Sequence, residues 1–146
     1  MNEKALKTLE YNKIIEKLCD LAHTRRGKEL CASLMPSSDL ETIEKMQKNT
    51  TDALSRLLRR GSVNFGGIHD IRASVRRLKI GSSLDAKELL NICSNLDATL
   101  RIKAYGGYTG KDGDEGATDS LTELFADLEP LSPLNNEIRR CIISEE

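Results

Sequence analysis

The chain has 146 residues and a net charge of −1, which is enough for one domain with a sizeable core and excludes an overall electrostatic pull towards nucleic acid. Aromatic residues make up only 3% of it, charged residues 31%, and tryptophan is absent, so the composition argues against a β-sandwich and suits a helical, leucine-rich protein. No apolar run approaches the roughly 20 residues that span a bilayer, and the first residues lack the apolar core of a secretion signal, which argues against membrane and secreted classes.

Two helices are predicted before the first proline. Apolar residues at three- and four-residue steps predict a helix over about 9–22, after a short lead-in over residues 1–8. Thr24 is placed to cap a second helix over about 25–34, because its hydroxyl can accept from a free amide of the first turn. Pro36 then forbids continuation of that helix.

The longest predicted helix covers about 39–60. Ser38 and Glu41 have the spacing of a capping box, in which the hydroxyl bonds the amide three residues on and the carboxylate reaches back. Gly61 is placed to end the helix, since glycine tolerates a left-handed backbone. One side of the helix carries Leu40, Ile43, Met46, Thr50, Leu54 and Leu57. Three arginines near its end are expected to point into solvent: Arg56, Arg59 and Arg60.

The segment 59–80 combines the sharpest break in the chain with its strongest local concentration of positive charge. The pair Gly66–Gly67 marks an irregular linker, because glycine tolerates backbone angles that end a helix. A new helical period follows over about 68–79. Its apolar stripe is Ile68, Ile71, Val75 and Leu78.

Cations flank that stripe on one shoulder of the predicted helix. Arg72, Arg76 and Lys79 lie about 90° round the helix from the apolar residues, at roughly 100° per residue. Such a helix can pack along one edge and meet an acidic partner with its shoulder. The alternative is a solvated face whose long side chains lay their stems over apolar surface.

The second half of the chain contains the cleanest apolar stripe, in a helix predicted over about 86–104. Asp85 and Glu88 form a variant capping box at its start. The glycine- and acid-rich stretch 105–119 is predicted to be a mobile loop. Two shorter helices are predicted over about 120–128 and 133–142. We therefore predict an all-α fold, a multi-helix bundle in a single domain over 1–146, cut from something larger.

The loop contains two motifs that resemble ligand sites. In GGYTGK, Tyr105 stands where a phosphate-binding loop needs glycine, and Asp112 stands where it needs Ser or Thr. The acidic residues Asp112, Asp114 and Glu123 match calcium-loop positions one, three and twelve, but Gly116 offers no side-chain oxygen at position five. The sequence therefore predicts neither a nucleotide site nor a metal site here.

Cysteine and histidine do not form a recognisable site either. The four cysteines include no C-x-x-C pair, and Cys19 with His23 lacks a second pair of ligands. Free cysteine at apolar helical positions behaves as a small hydrophobe, and disulfides are not expected in a reducing cytosol. His69 is expected to be exposed, with no nucleophile arrangement around it. We predict no catalytic, cofactor-binding or metal-binding residue, and a cytoplasmic location.

The order of these signals resembles the start of the bacterial MutS-II proteins, paralogues of the mismatch-repair ATPase MutS. The resemblance rests on KTLEYNKIIEKL, RGKEL, MPSSDLETIEK and, most specifically, GGIHDIR followed by LDAKELL. It covers about 7–100 well and 121–142 more loosely. The stretch 105–119 departs from the charged, helical segment that is usual there.

This resemblance implies a function that spacing alone does not. It implies a segment of the helical core, domain III, and of the lever region, in a parent protein with an ATPase domain that binds ATP and Mg²⁺ and forms the homodimer. In many members a nuclease-like domain follows. The family is linked to suppression of recombination through branched DNA and to splitting of collided ribosomes. No ATPase or nuclease motif lies in this chain, so no catalytic residue is carried over.

Two hypotheses follow. In the first, the chain is a core segment that transmits the ATP state to arms that grip branched DNA or ribosomal RNA, and its cations can meet phosphate with salt-sensitive contacts. The candidate contacts are Arg56, Arg59, Arg60, Arg72, Arg76 and Arg77. In the second, the chain is a free-standing helical adaptor that docks a partner helix in a groove.

Overall fold

The computed structural model describes residues 3–107 and 119–142, in which eight helices and no strand occur. The predicted all-α fold is therefore confirmed. None of the described helices is long and apolar enough to cross a bilayer. The helices are α1 Glu3–Thr8, α2 Tyr11–Leu21, α3 Arg25–Ala32, α4 Leu40–Arg60, α5 Arg72–Lys79, α6 Ala86–Gly106, α7 Thr122–Ala126 and α8 Ser132–Cys141.

The chain divides into two compact units, Met1–Arg59 (unit 1) and Arg60–Glu146 (unit 2). In unit 1, α1 packs against α2 and α2 against α3. The Tyr11 hydroxyl donates to the Leu34 carbonyl at 3.1 Å and so fixes the residues after α3. The predicted single domain over 1–146 stays a prediction.

Two details of unit 1 differ from the sequence-based expectations. The residues of the predicted lead-in form a helix of their own, α1, which is separated from α2 by Leu9 and by Glu10, whose φ is 51°. The predicted capping box at the start of α4 is wrong. Asp39, rather than Ser38, accepts from the amide of Thr42 at 3.0 Å, because Asp39 is the residue directly before the first helical turn. The predicted cap by Thr24 is confirmed, since its hydroxyl accepts from the amide of Gly27.

Helix α4 exposes much of its apolar side. Leu40, Leu54 and Leu57 are 68%, 55% and 46% exposed. The expectation that Arg56 points into solvent is wrong, because Arg56 is only 6% exposed. As predicted, Gly61 follows the last helical residue with a left-handed φ of 76°.

Unit 2 is built around α6. Cys93, Ala98 and Ile102 on this helix are buried, and α7 and α8 pack against it. The predicted capping box of Asp85 and Glu88 is confirmed, with both reciprocal hydrogen bonds present at the start of the helix. These contacts give unit 2 an apolar centre and a defined start for its longest helix.

Polar contacts join α6 to α8. Asp97 accepts from the side-chain amide of Asn135 at 2.6 Å and from the guanidinium of Arg139. The Cys93 thiol of α6 donates to the Asn135 carbonyl of α8. Burial between these two helices raises the pKa of the thiol.

Helix α5 differs from its prediction in start and in orientation. It begins at Arg72 rather than near Ile68, and the buried residue is Ser74, at 8% exposed. Val75 and Leu78, predicted to be buried, are 39% and 49% exposed. Ser74 is buried because its hydroxyl donates to the carboxylate of Glu88, which directs this face of α5 towards the start of α6.

The remaining differences lie near the ends of the last three helices. Tyr105 and Gly106, predicted to begin a loop, belong to the end of α6. The rest of that predicted loop up to residue 118, except residue 107, lies outside the described residues. The last helix begins one residue before its predicted start, at Ser132, and Leu131 precedes it with a φ of 42°.

Candidate nucleic-acid interface

The segment 68–80 carries four cations and a single acid, Asp70. We call Arg72, Arg76, Arg77 and Lys79 the α5 cations. Arg72 binds Asp70 in a bidentate fashion: its Nε donates to Oδ1 at 2.7 Å and its terminal nitrogen to Oδ2 at 2.6 Å. The Arg72 amide also donates to Asp70 Oδ1 at 3.3 Å, so one carboxylate bonds both the first amide of α5 and the arginine fork.

Arg77 is occupied in a different way. One of its terminal nitrogens donates to Glu88 Oε1 at 2.8 Å and the other to the Ser83 carbonyl at 2.8 Å. Glu88 Oε1 accepts from Ser74 Oγ at 3.0 Å as well, and its other oxygen accepts from the Asp85 amide. One carboxylate therefore joins α5, the turn after it and the first turn of α6, which makes Arg77 part of a structural joint.

Arg76 and Lys79 are the α5 cations that remain available. Both side chains are exposed, and within 3–107 and 119–142 neither makes a hydrogen bond or an ion pair. A phosphate could reach them without displacing a partner from the protein.

The arginines at the end of α4 do not form a comparable exposed set. Arg59 is exposed, Arg56 is buried, and Arg60 donates to the carbonyls of Tyr105 and Gly106 at 3.3 and 3.4 Å. Those carbonyls end α6, where the partial charge of the helix dipole is negative, so a guanidinium stabilises them. Arg60 therefore acts within unit 2 as a helix-terminus partner.

Three side chains of α6 that sequence reasoning missed hold the glycine linker in place. Asn95 pairs with both backbone groups of His69: Oδ1 accepts from the amide at 2.6 Å, and Nδ2 donates to the carbonyl at 3.0 Å. Ser94 Oγ donates to the Gly67 carbonyl at 2.8 Å, and Arg101 donates to the Gly66 carbonyl at 2.7 Å. These four hydrogen bonds fix the linker directly before the α5 cations.

A sequence signal for these residues existed but was weak. Ser94, Asn95 and Arg101 are polar positions beside the apolar stripe of α6, and such positions are usually solvated. The linker itself was recognisable from its pair of glycines. A run of irregular backbone needs hydrogen-bond partners for its amides and carbonyls, so some helix was expected to supply them. Which helix supplies them depends on tertiary contacts.

The exposed cations of α5 are suited to binding an anion such as phosphate. Among the described residues, no group of three or more His, Cys, Asp or Glu side chains could hold a metal ion. Lys111, Asp112 and Asp114, three residues of the two ligand-loop motifs, lie outside the described residues, whereas Glu123 lies in α7. An exposed arginine–carboxylate pair contributes only about 0–1 kcal/mol, so a phosphate can compete with Asp70 for Arg72.

The described residues thus define an all-α segment in which arginines join helices and a few cations remain exposed. Its relatives are proteins named Endonuclease MutS2. The chain is 60% identical over its whole length to that of Lachnoclostridium phytofermentans, 49% to that of Agathobacter rectalis and 42% to that of Acetivibrio thermocellus. It is a homologue of one segment of the MutS2 proteins, which confirms the resemblance to MutS-II and agrees with an N-terminal segment. The chain spans about a fifth of these relatives, 19% of the first and 18% of the others. No family model matches the chain.

Proposed function

We propose that the chain is the helical core and lever segment of a MutS2 protein, equivalent to domain III of MutS. In this proposal the complete polypeptide is a cytoplasmic, nucleic-acid processing ATPase that binds ATP and Mg²⁺ and forms a homodimer through its ATPase domain. Because its relatives are named Endonuclease MutS2, the proposal also includes an endonuclease activity of the complete polypeptide. The chain contributes no catalytic residue and transmits the ATP state to arms that grip branched DNA or ribosomal RNA.

The observation that carries this proposal is the use of arginines as joints. Arg60 and Arg77 direct their hydrogen bonds to groups of unit 2 itself, at the end of α6 and between α5 and α6. Hydrogen bonds with a charged partner contribute about 1.5–3 kcal/mol when they are shielded and less when exposed. Joints of this kind let helices move as a rigid body, as a lever requires.

A salt series tests whether the segment also touches nucleic acid. We expect the chain alone to bind neither a four-way DNA junction nor ribosomes detectably, even at low salt, if its role is purely structural. Binding that weakens with salt would instead assign a direct contact. Each duplex phosphate contact contributes a slope of about −0.9 in log K against log salt. The double variant Arg76→Ala with Lys79→Ala should then lower the slope by about two contacts.

The matched control for that variant removes two exposed lysines elsewhere, Lys45→Ala with Lys48→Ala on α4. It changes net charge equally, so a non-specific field effect would lower binding in both variants. Loss of binding in the control alone would contradict contact through the α5 cations.

Transmission is tested in the complete polypeptide with Glu88→Ala. Removing this carboxylate frees Ser74, Arg77 and the Asp85 amide together. We expect the basal ATPase rate to be kept and the response of that rate to nucleic acid to fall. A response equal to that of the unchanged protein would contradict a lever that includes the α5–α6 joint.

The second candidate function is the free-standing helical adaptor, and the exposed apolar side of α4 favours it. An adaptor would dock a partner helix along such a face. The reading frame that encodes the chain separates the two candidates. Continuation into a phosphate-binding loop and an ATPase domain supports the MutS2 segment, whereas a stop codon after residue 146 supports the adaptor.

A further inference from the structure

Helix α4 carries a regular seam with the spacing of a coiled coil. Every residue of the seam follows the previous one by three or four positions in strict alternation. The six residues, called the α4 seam, are Leu40, Ile43, Gln47, Thr50, Leu54 and Leu57. Alternating steps of three and four keep the residues on one side of a helix that winds around a partner, because the repeat of 3.5 residues is shorter than the helical period of 3.6.

No described helix of unit 1 lies along this seam. Within unit 1, α2 packs against α3 and α1 against α2, and no other helix of the unit packs along α4. Leu40 and Leu54 at opposite ends of the seam are more than half exposed. Leucine on a 21-residue helix gains its stabilising free energy by leaving water, so a seam of this length indicates a partner that buries it.

The middle of the seam differs from its ends. Gln47 and Thr50 interrupt the leucines, and the Thr50 hydroxyl donates to the Met46 carbonyl of its own helix at 3.0 Å. Thr50 is thus satisfied without a partner, whereas Gln47 leaves an amide that a partner must match. A polar layer inside an otherwise apolar seam specifies register, because a shifted partner would bury that amide against apolar groups.

Charge on the flanks of the seam indicates which partner fits. Asp39 and Glu44 flank its beginning. A helix with basic residues beside Leu40 would form favourable pairs with these two carboxylates, since flanking charges set partner choice and orientation in coiled coils.

We propose that the α4 seam is the docking surface for an amphipathic helix from the part of the MutS2 polypeptide that this chain does not span. The relatives are about five times as long as the chain, which covers 19% of the first of them. Exposed leucines and isoleucines also occur outside the seam in both units, such as Leu21 and Ile80 at 74% and 82%. Such scattered exposure fits cover by a larger polypeptide better than one two-fold contact with a second copy.

The inference rests on the proposed function, and cysteine labelling tests it separately. Leu54→Cys is prepared in the chain and in the complete polypeptide, and its alkylation rate is followed by mass spectrometry of the peptide, which separates it from the native cysteines. We expect labelling about tenfold or more slower in the complete polypeptide, because a covered thiol reacts only after local opening. Lys45→Cys, on the exposed opposite side of α4, is the control and should react equally in both.

Three results would overturn the proposal. Equally fast labelling of Leu54→Cys in both proteins would show that the complete polypeptide does not cover the seam. Protection that depends on protein concentration in the chain alone would assign the seam to a second copy. Protection of Lys45→Cys to the same degree would indicate general burial rather than a seam contact.

Nucleic-acid binding by the same complete polypeptides separates this inference from the proposed function. Retained binding with unprotected Leu54→Cys contradicts the seam alone. Absent binding and absent ATPase activity with a protected Leu54→Cys contradict the proposed function and leave the docking surface standing.

Discussion

The two units differ in what stabilises them. In unit 2, α6 buries Cys93, Ala98 and Ile102, and α7 and α8 pack around it. In unit 1, no described apolar side chain is buried, and the buried residue is a cation, Arg56. Amphipathic helices therefore form in both units from local signals, but only unit 2 completes an apolar centre with its own residues. A helical pattern in the sequence therefore predicts that one face of a helix is buried, but it does not indicate which segment buries that face.

The largest expected effect is a cavity in unit 2. Ile102→Ala removes a side chain that is 8% exposed, and such a change costs about 2–5 kcal/mol, since the vacated space fills only in part. Leu54→Ala in unit 1, where the side chain is 55% exposed, should cost under about 1 kcal/mol in the chain alone. Urea unfolding measures both. Equal losses at the two positions would remove the distinction between the units.

Next in size is the glycine linker of unit 2. Gly67 has a φ of 84°, and a Cβ there would lie 2.8 Å from Ser94 Oγ. Gly67→Ala should cost about 2–3 kcal/mol, because a left-handed backbone costs an alanine about 1–2 kcal/mol and the Ser94 hydroxyl must also move.

Gly61→Ala is the matched control for that change. Gly61 has a φ of 76° with open space around it, so only the backbone term of about 1–2 kcal/mol applies. Thermal or urea unfolding gives both values. If Gly61→Ala destabilised the chain as much as Gly67→Ala does, the contact between linker and α6 would contribute nothing to stability.

Local rules predicted most of the helices and failed where tertiary contacts decide. The caps by Thr24 and by Asp85 with Glu88 depend on residues within one turn, and both are present in the structure. The orientation of α5 depends on a carboxylate 14 positions after Ser74. Periodicity ranked Val75 and Leu78 above Ser74 for burial, because a periodic pattern does not register that a serine can bond a half-buried carboxylate such as that of Glu88.

The residue types of the candidate site were predictable from the sequence, but which of its cations can reach a phosphate was less predictable. The cation-rich segment was visible as a run of arginines after the glycine pair. Arg77 binds Glu88, whereas Arg76, one position earlier, does not. The two side chains differ because successive residues are rotated by about 100° around a helix. The signal from Asn95 was weak, since its two bonds join it to His69, which is 26 positions away.

A smaller effect is expected from removal of the side-chain amide of Asn95. Asn95→Ala removes both hydrogen bonds to the His69 backbone and should cost about 1–2 kcal/mol, because the freed amide and carbonyl are exposed enough to bond water instead. Hydrogen exchange should accelerate at His69 and its neighbours while the centre of α6 keeps its protection. Asn91→Ala on the same helix is the control, and acceleration in it would indicate general loosening of α6.

The smallest effect is expected at the start of α4 in unit 1, and it depends on pH. The side-chain hydrogen bond from Thr42, followed by the one from its amide, lowers the pKa of Asp39 below its ordinary value. A carboxylate whose pKa is lower in the folded state stabilises that state above its unfolded pKa of about 4, and the contribution is lost as the pH falls through the lower folded value. Hydrogen exchange at Thr42 should therefore accelerate below about pH 4 relative to the middle of α4. Asp39→Asn retains a capping oxygen without the charge, so its Thr42 exchange should lack that pH step. If the pH step in Thr42 exchange persisted in Asp39→Asn, the acid sensitivity of this helix start would come from another titratable group. The charge of the Asp39 cap would then not be what stabilises the start of α4.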